Sequence, residues 1–532
     1  MTRAAVVLLA LAVVVLLPFL LKPEENLLAR ADDTLVVITP HNEAIRYEFS
    51  RAFSAHYEEK TGRSVRIDWR MPGGTSEIAR YLQGEFFAAF QNVWRQSGRE
   101  WTPEVQAAFD NPKVELPPDP AGDTPAQAAR RAFLSSDTGI GIDLFFGGGA
   151  FDFNRQADAG RLVDSGVLER HPDWFADDSI PRVVSGEEFY DAGGRWVGAV
   201  ISSFGICYNT DSLRRLGVQE VPASWEDLTR PEFLKEVALA DPTKSGSAAK
   251  AFEMIIQQQM QKRASADGMK DIGRALAEGW LAGLSIIQRA SANARYFTDA
   301  ASKVPVDVSQ GDAAIGMCID FYGRYQSEAV RVGKEHSRLQ YFTPAGGSSV
   351  GVDPIGMLRG APNPEVARHF IDFVLSIEGQ KLWNFKVGTP GGPVRYALRR
   401  LPVRKELYAP EFEKFRSDPG VFPYEEARLF TYHPGWTGPL FKALGFIVRV
   451  ACLDPHDEQV AAWEALVAAD FPPLATERFS DLSAVNYAVA RDEIAPALAS
   501  ADRILEVRLA KRLGDHFRNQ YREAAELARK GQ

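Results

Sequence analysis

Three features of the 532-residue chain predict an α/β architecture. Short apolar runs end in small or polar residues. Segments with helical spacing follow them directly. This order recurs through most of the chain, as in an open sheet whose strands feed helices. The length exceeds what one compact core holds, so two or three lobes are expected.

The first unit is DTLVVITPHNEAIRYEFSRAFSAHYEEKTG. Leu35 to Ile38 read as a short buried strand, broken by Pro40, His41 and Asn42 after Thr39. Ile45, Phe49, Ala52, Phe53 and Tyr57 recur at helical spacing, and Gly62 stops that helix. SVRIDWR gives a second strand, running into Gly73 and Gly74 and a helix from Thr75. Between Gln83 and Thr138 the rhythm fails, so residues 83–138 read as a helical insertion, a candidate flap. GIDLFFGGGAFDF restores the pattern, with a strand ending in Gly147, Gly148 and Gly149.

GRWVGAVISSFGICYNTDSL reads as a long strand entering a new segment. ADPTKSGSAAKAFE hands a strand to a helix through Lys244, Ser245, Gly246 and Ser247. SSVGVDPIGMLRGAPNPEVARHFIDFVLS gives a strand, a proline-marked turn and a helix. Beyond GTPGGPVRYALRR the chain turns mainly helical. Its last helix repeats Leu505, Leu509, Leu513, Phe517 and Tyr521, a stripe that reads as a packing face.

Composition narrows the function. A net charge of -9 with dispersed Lys and Arg argues against nucleic acid as a partner. Cys207, Cys318 and Cys452 lie far apart, with no metal-ligand spacing and no disulfide framework, and read as buried thiols. At the N-terminus, Arg3 precedes an apolar run from Ala4 to Leu21, so residues 1–31 read as a signal peptide or signal anchor. Ala29-Arg30-Ala31 offers a cleavage site, while the run is nearly long enough to span a bilayer, so cleavage and retention both fit. No cysteine follows the run, which excludes a lipoprotein anchor. A periplasmic or extracellular body is expected either way.

The chemistry-bearing motifs do not read as an enzyme. GSSVG at residues 347–351 matches the nucleophile-elbow pattern, but a proline and a strand follow it where a helix is needed. There is no HExxH, no Walker A and no GxGxxG after a strand, and the eight histidines are scattered. No cofactor is expected. What recurs is a strand end of small or polar residues opening a helix, at Thr39 to Asn42, Gly73 to Ser76, Gly147 to Gly149 and Ser245 to Ser247. Each alone reads as a capped turn. Four together predict a cleft in which helix N-termini grip a polar, anionic ligand.

PASWEDL, ADPTKSGSA, ARYFTDAASKVPVDVSQGDAAIGMCIDFYGR and VGVDPIGMLRGAPNPEVARHFIDFVLS together resemble the extracellular solute-binding proteins of ABC transporters. Within these, they resemble the branch containing ferric-iron-binding proteins. The resemblance implies a two-lobed periplasmic-binding-protein type 2 fold with hinge-crossing strands, closing on its ligand. Residues 32–203 and 347–532 would form lobe one, including the insertion at 83–138 and a helical extension at 402–532. Residues 204–346 would form lobe two. Crossings are expected near Ser202 and Ser203 and near Ser348 to Val352.

His41 resembles the position from which iron-binding relatives offer a histidine. Asp320, Phe321 and Tyr322 fall where they place adjacent tyrosines, and only Tyr322 matches. Ferric iron favours anionic oxygen ligands, so the loss of one phenolate weighs against it. Asp320 could substitute, although on a strand it would face away from its sequence neighbour. The implied ligand is a small organic anion such as a phosphate ester or phosphonate. Ferric iron on His41, Asp320 and Tyr322 is the alternative. The implied partners are that solute and ABC permease subunits in the inner membrane, with the receptor a monomer. An exported hydrolase of a phosphate ester or glycoside, or a ligand-sensing adaptor, are the rival readings.

Overall fold

The computed structural model of the protein describes residues 31–532 except 267, 269, 334–336 and 501. The expected signal or anchor segment therefore lies, but for Ala31, outside the described residues.

The chain builds β1 (Asp33–Ile38), α1 (Glu43–Thr61), β2 (Val65–Arg70) and α2 (Thr75–Gln96) in the expected alternation. Asn42 caps α1 by accepting from the Ile45 amide, and Gly62 ends it at φ 70°, a left-handed turn open to glycine. After helices at Pro103–Ala108 and Pro125–Ser135 come β3 (Leu144–Phe146), α3 (Ala150–Ala159), β4 (Leu162–Val163), the hairpin β5 (Val183–Val184) and β6 (Glu187–Glu188), and β7 (Val197–Ser202). The second sheet contains β8 (Phe204–Asn209), β9 (Val237–Ala240), β10 (Ala294–Thr298), β11 (Ile315–Ile319) and β12 (Leu339–Phe342). Its long helices are α4 (Gly246–Ala266) and α5 (Ile272–Ala292), while α6 (Asp320–Ala329) follows β11 directly. β13 (Gly351–Leu358), α7 (Pro364–Leu375), α8 (Ile377–Asn384) and β14 (Leu401–Pro402) return to the first sheet, and helices continue to the C-terminus.

The first sheet runs β14-β7-β13-β3-β1-β2, with β4 also on β13. β1 pairs parallel with β2 and β3, whereas β13 runs antiparallel to β3 and to β7. The carboxyl ends of β1, β2, β3 and β7 therefore share one edge with the amino ends of β13 and β14. The second sheet runs β10-β9-β11-β8-β12, and Ile319 lies opposite Phe204. Ser203 alone separates β7 of one sheet from β8 of the other, and residues 343–350 lead back. The GSSVG segment belongs to this return: Ser348 Oγ accepts from the Phe204 amide at 3.0 Å, and Ser349 Oγ donates to Glu187 at 2.7 Å.

Two features differ from the sequence reading. Residues 83–138 do not form a flap. α2 runs unbroken through Gln83, and its Phe86, Phe90 and Trp94 bury in the lobe-one core with Phe109 and Phe133. The aromatic stripe at helical spacing is a core face, and burial of such rings stabilises by a few kcal/mol each, about 2.

The helical extension, in turn, does not belong wholly to lobe one. Leu401, Val403 and Ala427 join the lobe-one core, but Phe430 and almost every buried apolar residue from there to Ala528 join the lobe-two core. Trp463, Phe479, Phe517 and Tyr521 pack there with Trp280, Leu284 and Ile287 of α5. The expected stripe on the last helix (Arg503–Arg529) is buried from Leu509 onward, while Leu505 stays exposed. The chain thus crosses between the lobes a third time, near Leu429.

A buried polar cluster fixes this third crossing. Lys250 on α4 lies 2.9 Å from Glu187 of the lobe-one hairpin and 3.0 Å from Glu253. Its ammonium sits 3.6 Å over the Tyr432 ring, and Tyr432 and Thr437 both donate to Glu253. Glu187 and Glu253 hold the Lys250 ammonium well above its ordinary range despite burial. The charged pairs are satisfied by several partners, the condition under which a buried ion cluster holds an interface.

Candidate functional site

The shared edge of the lobe-one sheet places the predicted residues together. Thr39 is fully buried and its hydroxyl accepts from the His41 amide at 3.1 Å, which sets the turn that points the chain off β1. Gly147, at φ 90°, has no room for a side chain: a Cβ would stand 2.5 Å from His41 Nε2. Gly148, at φ 122°, is closed in the same way by Thr75, 2.7 Å from where its Cβ would lie. The glycines read as an anion cradle thus also let the β3 turn pack directly against His41 and Thr75. Gly74 is the N-cap of α2, and Gly73 and Gly74 stay exposed beside them.

At the centre of this edge stands a residue that the sequence reading did not single out. Arg400, immediately before β14, is fully buried, and its guanidinium pairs with Asp353 of β13. It also donates to Ser202 at the end of β7, at 3.3 Å, and lies 3.4 Å from His41 Nε2. Ser202 donates in turn to Asp353 at 2.6 Å. Arginine only donates, so Nε2 of His41 accepts and Nδ1 carries the proton. Burial, with Arg400 adding to it, holds the His41 pKa well below the usual value and keeps the ring neutral. Its Nδ1 and the Nε of Arg400 are both buried without a partner.

Lobe two meets this group with the N-terminus of α6. Asp320 opens that helix, so its neighbours follow helical spacing, where a strand would set them on opposite faces. The Asp320 amide donates to Ser203 O at 2.9 Å, and Ser203 Oγ lies 3.2 Å from Thr343 Oγ1. The Phe321 ring lies 4.0 Å beneath the Arg400 guanidinium, and Tyr322 packs 4.2 Å from Phe321. The Asp320 side chain is fully buried and neither carboxylate oxygen has a hydrogen-bond partner. Its nearest cation is Arg324 Nε at 3.9 Å, beyond hydrogen-bond reach. Burial pushes the Asp320 pKa up to about 6, against the opposing pull of Arg324 and Arg400. Burial likewise raises the Tyr322 phenol.

Ion pairs close the seam around this centre. Arg399, held at φ 54° where side chains are strained, grips Asp418 with two nitrogens and reaches Glu328 of α6 at 2.7 Å. Arg324 reaches Asp418 at 3.5 Å from the other lobe. Phe151 of α3 also meets Phe441 of the extension, with ring centroids 5.0 Å apart and planes tilted by 44°.

His41, Ser202, Asp320 and Tyr322 are therefore gathered about Arg400, with Thr39, Gly147, Gly148 and Thr75 supporting them. The Lys244–Ser247 turn lies at the carboxyl end of β9, the strand next to β11, but its bonds are local. Ser245 Oγ accepts from the Ala248 amide at 3.3 Å, and the exposed Lys244 pairs with Asp241 at 3.8 Å. No signal in the sequence marked Arg400. It stands among the arginines of RYALRR in a stretch without periodicity, and its partner Asp353 is 47 residues away.

Two α/β lobes linked by short crossings, with buried polar side chains facing each other across the seam, define a two-lobed ligand receptor. Residues 141–418 match the family of bacterial extracellular solute-binding proteins, just over half of the chain, and the chain belongs to that family. The body of the protein is accordingly periplasmic or extracellular. Among curated relatives, an uncharacterised protein of Haemophilus influenzae is 29% identical over 243 residues, 45% of this chain and 60% of that protein. The phosphoglycerate transport regulatory protein PgtC of Salmonella typhimurium is 22% identical over 186 residues, 35% of this chain and 40% of that protein. The chain thus spans less than two thirds of the length of either relative. Among solved structures, the periplasmic binding protein AfuA of Actinobacillus pleuropneumoniae with fructose-6-phosphate is 17% identical, with a TM-score of 0.45 over 75% of this chain and 94% of that one. Iron-bound HitA of Pseudomonas aeruginosa is 16% identical, with a TM-score of 0.45 over 77% of this chain and 98% of that one.

Proposed function

We propose that the protein is an exported receptor that captures a small anionic solute between its lobes and presents the closed form to ABC permease subunits. The observation that carries this reading is Arg400. It is a permanent cation at the meeting point of the lobes, flanked by the neutral His41, and each of the two offers an unpaired N–H donor. Such donors, dehydrated and fixed before the ligand arrives, bind anions far more strongly than the same groups in water. Lobe closure is then the work done by ligand binding, since contacts with both lobes favour the closed state.

Ferric iron fits less well. The guanidinium of Arg400 lies between His41 and Phe321, where it repels a metal cation, and Phe321 has no ligating atom. Among the described residues there is no group of three His, Cys, Asp or Glu placed to hold a metal ion. Arg400, His41, Ser202, Thr75 and the glycines of the β3 turn are the ligand contacts proposed for lobe one, with Tyr322 and the α6 N-terminus for lobe two. The N-terminal apolar segment either tethers this receptor to the membrane or is removed.

Thermal-shift and calorimetric titration with inorganic phosphate, phosphate monoesters and phosphonates tests the proposal. Stabilisation by an anion, without release of product, is expected. Turnover of a phosphate ester would replace the receptor with a hydrolase. A visible charge-transfer band on adding ferric iron, lost in Tyr322→Phe, would replace the anion with a metal.

A further inference from the structure

The polar atoms left without partners at the seam are not all of one kind. On the lobe-one side they are donors, the Arg400 Nε and the His41 Nδ1. On the lobe-two side both oxygens of Asp320 are acceptors, and Arg324 Nε, 3.9 Å from one of them, is a donor too far away to answer it. The Arg400, His41 and Asp320 side chains are at least nine-tenths buried, with relative exposures of 0%, 5% and 0%. A buried polar atom without a hydrogen-bond partner is costly, and an ionised one more so, so three such groups near one another call for a ligand that answers them. A simple anion answers only the donors. Beside Asp320 it would add a second negative charge at short range, which is unfavourable at low dielectric.

We infer that the ligand is two-ended. An anionic group meets Arg400 and His41 of lobe one, and a hydroxyl or ammonium donor at its other end meets the Asp320 carboxylate of lobe two. This rests on the anion-receptor reading above and adds the second pole. It also gives Asp320 a part that its place in the fold alone does not explain. The Ser203 and Phe321 amides lie near enough to favour the charged carboxyl without fully answering either oxygen, and Arg324, the nearest cation, stays 3.9 Å away. In this arrangement each end of the ligand pairs with a different lobe, so neither lobe alone holds it, and binding and closure become one event. A solute lacking the donor end would leave Asp320 unpaired in the closed state.

Titration of the purified full chain with three probes tests this. Inorganic phosphate carries the anion alone, glycerol 3-phosphate adds hydroxyls, and phosphoethanolamine adds an ammonium. At least one two-ended probe is expected to bind more than about tenfold tighter than phosphate, the worth of one charge-assisted hydrogen bond. Asp320→Asn and Asp320→Ser should shrink that preference to about twofold or less, read as the ratio of affinities for a two-ended probe and for phosphate on the same variant. Urea unfolding of both variants checks that each still folds. Which probe wins separates a hydroxyl from an ammonium. Equal affinity for phosphate and the two-ended probes, or a preference that survives both variants, would overturn the inference and leave the anion receptor standing. Binding of none of the three would remove both.

Discussion

The guanidinium of Arg400 lies 4.0 Å over the ring of Phe321, and this one contact joins the middle of lobe one to the middle of lobe two. A cation over an aromatic face away from water is worth about 2 kcal/mol. The charge is fixed by Asp353 behind it, so the ring meets a rigid surface.

Arg400→Gln should therefore cost more than a lost contact. It strands the Asp353 carboxylate, which retains only Ser202 as a donor, and breaking a buried pair in this way costs about 3 kcal/mol or more. Urea unfolding measures the loss. Arg400→Met combined with Asp353→Leu should recover most of the stability, because no lone charge remains, yet bind no anion. Anion binding by that double variant would remove Arg400 from the site.

Asp320 predicts a pH dependence. Its folded pKa of about 6 lies above the ordinary 3.8, so the folded state holds the proton more tightly than the unfolded chain. This contribution is complete below about pH 4 and is lost as the pH rises through 6. Asp320→Asn is neutral throughout and should flatten the melting temperature between those values. An unchanged slope would mean that the carboxyl is already ionised in the fold.

Ser245→Ala with Ser247→Ala removes a helix cap and nothing that touches Arg400. The expected result is a stability loss of about 1 kcal/mol with ligand affinity within about twofold. A larger loss of affinity would bring this turn into the binding surface when the lobes close.

Phe517→Ala tests the assignment of the extension. Phe517 is fully buried in the core that contains Trp280 and Ile287, so truncation should cost about 3–5 kcal/mol and destabilise lobe two. Tryptophan fluorescence during urea unfolding follows Trp280 and Trp463 of that core. A neutral effect would make the extension a separate appendage.

The α/β alternation is legible because it follows from local rules: strand length, helical spacing, and glycine where a turn meets a neighbour. His41 and Gly147 each follow a strand in the sequence, and their contact is what the parallel pairing of β1 with β3 requires. Arg400 was not legible, because nothing in its surroundings distinguishes it from Arg399. Only the pairing of β14 with β7 brings it beside Ser202. Whether Asp320 continues the strand is not legible, because β11 ends one residue earlier and helix initiation at Asp320 changes which neighbours share a face. The return of the extension to lobe two is not legible, because the short crossing near Leu429 leaves no periodic trace.

The third crossing also governs when the protein can become itself. The lobe-one core runs from Leu35 to Ala427 and the lobe-two core from Phe204 to Ala528, so the two overlap along the chain. A polypeptide emerging N-terminus first owns neither finished core until most of it has been made, and these long-range contacts form slowly. Such a chain stays threadable while it is synthesised. The lobe-two core is completed last, when the residues up to Ala528 join it.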